Sequence, residues 1–199
     1  MLSGAEFKLP FIAPGDRVAF YFDYAVGAVR FAANNLQSPG LFGSKNKGGN
    51  NVAFGWVTDG VFFNGTDMEK TSAWSAGGGF EHYWSPQWST TWYGSIAEIK
   101  YNNTIIDSGA FCRGVVPLEG QACDPGFTYW AVGTHTDWFP VPGLRFAVDV
   151  LYTQVNTAMK GQVQVNNQVS GRPTGVYTAR NLGITSVIFR AQRNWGGGD

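Results

Sequence analysis

The sequence predicts an all-β fold, an antiparallel transmembrane β-barrel of about seven to eight strands. Three observations carry that prediction. Apolar and polar residues alternate over runs longer than the usual strand of ~5–6 residues, long enough for the ~9–11 tilted residues that cross a bilayer. Tight proline-containing turns alternate with long polar stretches, the pattern of turns at one membrane face and loops at the other. Aromatic residues gather beside those turns, where a membrane interface would hold them.

Composition sets limits. Charged residues are 14% of the chain, aromatics 16%, and glycine numbers 27; soluble domains usually carry ~25% charge. The formal net charge is zero, which gives no electrostatic footprint for nucleic acid. No stretch approaches the ~20 apolar residues of a transmembrane helix, and the mean hydropathy is −0.14, unlike a helical membrane protein. A membrane protein within these limits must be a closed barrel. The opening MLSGAEFKLP has no basic start, apolar core or small-residue cleavage site, so no signal peptide is read there. The expectation is a chain already processed, or one that begins inside a longer protein.

GAEFKLP sets Phe7 and Leu9 against Glu6 and Lys8. DRVAFYFDYAVGAV places Val18, Phe20, Phe22, Tyr24 and Val26 on one face and Arg17, Ala19, Tyr21, Asp23 and Ala25 on the other. TSAWSAGGGFEHYW opposes Trp74, Phe80 and Trp84 to Glu81, and its three adjacent glycines allow curvature or close approach. WSTTWYGSIAEIKY separates Glu98 and Lys100 from Tyr93, Ala97, Ile99 and Tyr101. FTYWAVGTHTDW sets Trp130, Val132 and Trp138 against Tyr129, Gly133, His135 and Asp137. The clearest segment, GLRFAVDVLYTQVN, opposes Leu144, Phe146, Val148, Val150 and Tyr152 to Arg145, Ala147, Asp149, Leu151 and Thr153. The last, from Ile184 onward, carries Val187, Phe189 and Ala191 against Ile188, Arg190 and Gln192.

The turns are APGD (13–16), SPQW (85–88) and FPVPG (139–143); the long stretches cover about residues 31–70, 102–126 and 157–179. With APGD at the periplasmic side, NVAFGWVTDGVFF (51–63) falls in an outer loop or a hairpin within it. The count is about seven spanning strands, an odd number that points to part of a larger barrel. Residues 1–195 read as one barrel segment and 196–199 as a tail. Trp84, Trp88, Trp138, Phe139 and Trp195 are the candidates for an interfacial girdle.

Cys112 and Cys123 share one polar loop and read as a local disulfide in an exported protein, against the alternative of two free thiols. With two isolated histidines, His82 and His135, the chain offers no H-E-x-x-H spacing and a poor zinc case. GSKNKGGN lacks the phosphate-loop order. No enzyme, cofactor or metal is expected. Two other readings stay open: a soluble carbohydrate-binding β-sandwich, and an autonomous small barrel serving as adhesin or structural anchor, which needs an eighth strand from NVAFGWVTDGVF.

The run VGTHTDWFPVPGLRFAVDVLYTQVNTAMKG followed by VIFRAQRNW closely resembles the C-terminal part of alphaproteobacterial outer-membrane porins of the rhizobial and Brucella type. NVAFGWVTDGVF, AGGGFEHYWSPQW and GAEFKLPFIAPGD are similar to earlier segments of that family, in colinear order over nearly the whole chain. The resemblance implies the C-terminal half of a sixteen-stranded, homotrimeric porin in the bacterial outer membrane, in contact with its lipids and lipopolysaccharide. It further implies a water-filled passive channel for ions and small hydrophilic solutes. Such porins end on an aromatic residue, whereas here Trp195 is followed by Gly196, Gly197, Gly198 and Asp199.

In a pore the working groups are lumen charges that set the field in the water path. Strand parity selects Arg145 and Asp149, Arg190, and Glu98 with Lys100, then Arg17, Asp23 and Glu81.

Overall fold

The computed structural model describes residues 1–33, 40–44, 50–62, 65, 67–166 and 173–195. Seven strands form one sheet: β1 (Leu2–Lys8), β2 (Arg17–Val26), β3 (Ser72–Ser85), β4 (Trp88–Lys100), β5 (Phe127–Val141), β6 (Leu144–Asn156) and β7 (Leu182–Arg193). Each pairs antiparallel with its neighbour in sequence, so the sheet is a meander. β1 and β7 are each paired on one side only. Seven alternating strands leave both edges running the same way, so these edges cannot meet in an antiparallel seam.

Cross-strand partners share a face. One face is apolar and uncovered: Phe20, Val132, Val150, Val187 and Phe189 are all exposed on it. Its rings stack along the sheet, as with Phe146 and Phe189 at 6.2 Å. The other face is layered by the register. Arg17, Glu81, Thr91, His135 and Asp149 form one row across β2 to β6. Three rows further toward the loops, Asp23, Ser75, Ala97 and Tyr129 form another, followed by Ala25, Ala73, Ile99 and Phe127. Charge gives way to apolar surface along a single face.

That apolar end is where the loops fold in. Ala73, Ile99, Phe127 and Val155 from the wall pack with Val29, Ala33, Ala53, Val57 and Ile105 from the loops. A second sheet knits the three loops together in the order Gly40–Ser44, Asn51–Gly55, Gly175–Ala179, Gly161–Val165, Val115–Pro117. The strand Asn51–Gly55 is buried on both sides, with Ala53 in the wall-side core while Val52 and Phe54 enter another core with Val115, Val163 and Tyr177. It therefore belongs to the loop layer, and among the described residues the eighth wall strand considered for NVAFGWVTDGVF (51–62) is not formed. Cys112 and Cys123 are bonded, joining the segment after the helix Asn103–Ser108 to the approach to β5.

At the opposite end the turns are short, and one carboxylate fastens them. Asp16 is fully buried. It accepts hydrogen bonds from His82 Nδ1 at 2.7 Å and from the Tyr83 backbone N–H at 2.9 Å, tying the β1–β2 turn to β3. Burial alone would raise its pKa, but these two donors outweigh that and hold it below the ordinary value. A carboxyl depressed in the folded state stabilises above its unfolded pKa, and the stabilisation disappears as pH falls through the folded value. Acid unfolding monitored by tryptophan fluorescence should therefore steepen below about pH 4, and Asp16→Asn should flatten that limb while lowering stability at neutral pH, where the ionised carboxylate contributes.

Candidate functional site

The layered polar face carries a belt of charge near the turn end. On its β2–β3 side Arg17 Nε lies 2.6 Å from Glu81 Oε2, with Glu6 of β1 at 3.9 Å. On its β5–β6 side Arg145 binds Asp137 twice, Nε to Oδ1 at 2.5 Å and Nη2 to Oδ2 at 2.8 Å. The two sides frame one cavity of about 420 Å³ whose floor is the small residues Ala19, Gly79 and Thr91. Opposite charges are thus held on fixed strands on either side of a polar depression.

The hydrogen-bond polarity of the β5–β6 cluster is determined by chemistry. Arg145 Nη2 lies 2.9 Å from His135 Nε2, and guanidinium only donates, so Nε2 accepts. The ring proton is then on Nδ1, which donates to Asp149 Oδ2 at 3.1 Å. Asp149 Oδ1 accepts from the Tyr93 hydroxyl at 2.8 Å. The Tyr93 ring reaches it by lying over Gly133, where an added Cβ would stand 2.7 Å from the ring. Gly77 has the same relation to Tyr21, which accounts for part of the glycine run by close approach.

Of the residues the alternation selected, Arg17, Glu81, Asp23, Arg145, Asp149 and Arg190 share this polar face. Glu98 and Lys100 do not. Ala97 pairs with Tyr129 and Ser75, so Glu98 and Lys100 stand on the aromatic face, where Glu98 accepts from Trp74 Nε1 at 2.6 Å and meets Lys100 at 3.1 Å. Their grouping with Arg145 is corrected: they sit at the loop end of the apolar side.

The girdle assignment divides in the same way. Trp84, Trp88 and Trp138 stand exposed on the aromatic face beside the turns, Trp88 stacking on Trp138 at 5.5 Å. Trp195 is exposed beyond β7, with the Arg193 guanidinium 5.4 Å above its ring. Phe139 is the exception, since Arg145 lies 5.8 Å over its ring on the polar side. A break in register between Trp138 and Val141 accompanies this turn-in. The tail 196–199 lies outside the described residues.

Asp137, His135 and Tyr93 were not among the candidate residues. The signal was present: the β5–β6 hairpin is closed by a tight turn, so Asp137 opposes Ala147, one same-face step from Arg145. Among the described residues no group of three or more His, Cys, Asp or Glu side chains is arranged to hold a metal ion.

A belt of paired charges on one face of an uncovered, apolar-backed meander suits the wall of a channel. Comparison with known families agrees with it: the profile described as a porin subfamily matches residues 9–176. The chain belongs to the porin subfamily. No curated protein and no solved structure gives a match. The matched span takes in β2 to β6 of this porin entire, together with the whole cluster from Arg17 to Asp149. In a porin fold the uncovered aromatic face and the layered polar face have a common cause, because the strands separate two different solvents.

Proposed function

We propose that this porin supplies wall to a water-filled channel through which ions and small hydrophilic solutes diffuse passively across a bacterial outer membrane. One observation carries the reading: a single-layer sheet has an uncovered apolar face on one side and rows of charge on the other. A soluble sandwich would cover that apolar face with a second sheet. Lipid and lipopolysaccharide are the proposed contacts of the aromatic side. Closure into sixteen strands, and assembly as a homotrimer of the alphaproteobacterial type, are part of the same proposal. Closure supplies strands to the edges β1 and β7, which lipid would not tolerate unpaired.

On this reading the loops that pack on Ala73, Ile99 and Phe127 narrow the outer mouth, and the belt sets the field below them. Arg190 is exposed on the polar face of β7 with no ion-pair partner among the described residues. Unlike Arg17 and Arg145, it has no carboxylate beside it among those residues. Arg190→Gln in the full-length channel should shift the reversal potential in a salt gradient toward cation selectivity. Unchanged reversal potentials in planar bilayers would remove Arg190 from the pore lining.

A further inference from the structure

Five carboxylates stand on the polar face of the wall: Glu6, Asp23, Glu81, Asp137 and Asp149. Four have partners, namely Arg17 for Glu6 and Glu81, Arg145 for Asp137, and Tyr93 and His135 for Asp149. Asp23 has none among the described residues, and its Oδ1 is shut off from solvent without a hydrogen bond. A carboxylate left so costs free energy unless a cation outside the wall reaches its other oxygen, Oδ2, which is not shut off in this way.

The register around Asp23 leaves room for such a group. Its row continues through Ser75 and Ala97 to Tyr129, and the row below runs from Tyr21 through Gly77 to Ser95. Small residues thus form the floor, and larger ones rise at either side. The Tyr21 ring leans over Gly77, where an added Cβ would lie 2.6 Å from it. The result is a cavity of about 450 Å³ lined by Asp23, Tyr21, Ser75, Ser95 and Tyr129, closed toward the loops by Phe31 and Ala32. A carboxylate, serine hydroxyls and tyrosine rings meet in one trough whose other walls include the apolar Leu2, Ile96 and Ala97.

We propose that this trough is a binding subsite for small organic cations, solutes that carry a primary ammonium and a hydroxyl. The ammonium pairs with the Asp23 carboxylate and faces tyrosine π surface, while Ser75 and Ser95 take the hydroxyl. The trough lies between the charged belt and the loop-packed mouth, so on the channel reading, on which this inference rests, a cationic solute pauses there before it meets Arg17 and Arg145. Metal cations fit less well, because one carboxylate and two serines leave most of a hard cation's oxygen shell unfilled.

The test uses the whole 199-residue chain refolded in detergent micelles, with ring-labelled tyrosine observed by NMR. Ethanolammonium chloride is the probe, ethylene glycol its neutral counterpart and potassium chloride the salt control. The Tyr21 and Tyr129 signals should move with ethanolammonium and stay still with glycol or potassium. Asp23→Asn should weaken the response at least about tenfold, the worth of one charge-assisted contact, and Asp23→Glu should keep most of it. Equal shifts with glycol, or a response that survives Asp23→Asn, overturn the subsite. The wild-type comparison of ethanolammonium with glycol decides the matter even if a variant fails to refold. Because binding is read without conduction, binding in a chain whose full-length form does not conduct would count against the channel alone. A conducting channel without binding would count against the subsite alone.

Discussion

Replacing Arg145 by methionine is expected to destabilise the wall by about 3 kcal/mol, the lower end for removing one partner of a buried pair. The lower end applies because the Arg145 side chain is 34% exposed, so water already screens part of its charge, whereas Asp137 is 7% exposed and loses its only bidentate partner. His135 cannot replace the guanidinium while its Nδ1 proton is directed at Asp149. Arg145 also donates to His135 Nε2, so the substitution frees that acceptor as well and the damage reaches the Tyr93–Asp149 contact. Arg145→Met combined with Asp137→Leu should recover most of the loss, because removing both charges leaves nothing buried and unpaired. Urea titration of refolded protein by tryptophan fluorescence reads both. If the single variant unfolds within about 0.5 kcal/mol of wild type, the pair behaves as an ordinary surface ion pair and the belt is not a structural unit.

The wall was legible in the sequence because lipid on one side and water on the other impose a strict period of two. In β6 that period is unambiguous: Phe146, Val148 and Val150 oppose Arg145, Ala147 and Asp149, and the register agrees residue for residue. In β4 it misleads. Trp88, Thr90 and Trp92 alternate with Ser89, Thr91 and Tyr93, two faces of similar character, so alternation separates Glu98 from Ala97 without saying which side each takes. Pairing with β5 decides it, and pairing is not written in a single strand. Phe139 misleads for another reason, since it follows the last regular position of β5 and the register shifts there.

The loop sheet had no such signal. Its strands come from three separate loops, and the pairing of Asn51–Gly55 with Gly175–Ala179 is parallel. Val52, Ala53 and Phe54 are buried on both sides, so they show no alternation to read. Asp137 and His135 were placed on the correct face but not recognised as a cluster. Their partners Arg145 and Asp149 become neighbours only through the hairpin.

Gly55→Val is expected to unseat the loop layer while leaving the wall intact. An added Cβ at Gly55 would stand 2.0 Å from Phe127 Cδ1 and 2.3 Å from Cγ, against a preferred carbon separation of ~3.5–4.0 Å. Phe127 has nowhere to go, because it is 5% exposed among Ile99, Val155 and Tyr101. Overpacking of this kind costs about 1–3 kcal/mol, and the weaker attachment should yield first. The wall strands share up to thirteen register pairs with a neighbour, as β3 does with β4. The strand Asn51–Gly55 meets Gly175–Ala179 at only two, Thr178 with Asn51 and Ala179 with Val52. Limited proteolysis should therefore cut faster within residues 50–62, while heat-modifiable migration on gels stays as in wild type. If these loops narrow the mouth, single-channel conductance should rise in the same variant. Gly120→Asn is the control: its φ of +68° suits asparagine and no atom lies within 4 Å of its added Cβ. Protease protection and conductance unchanged in Gly55→Val would mean that the loop layer is not seated through Phe127.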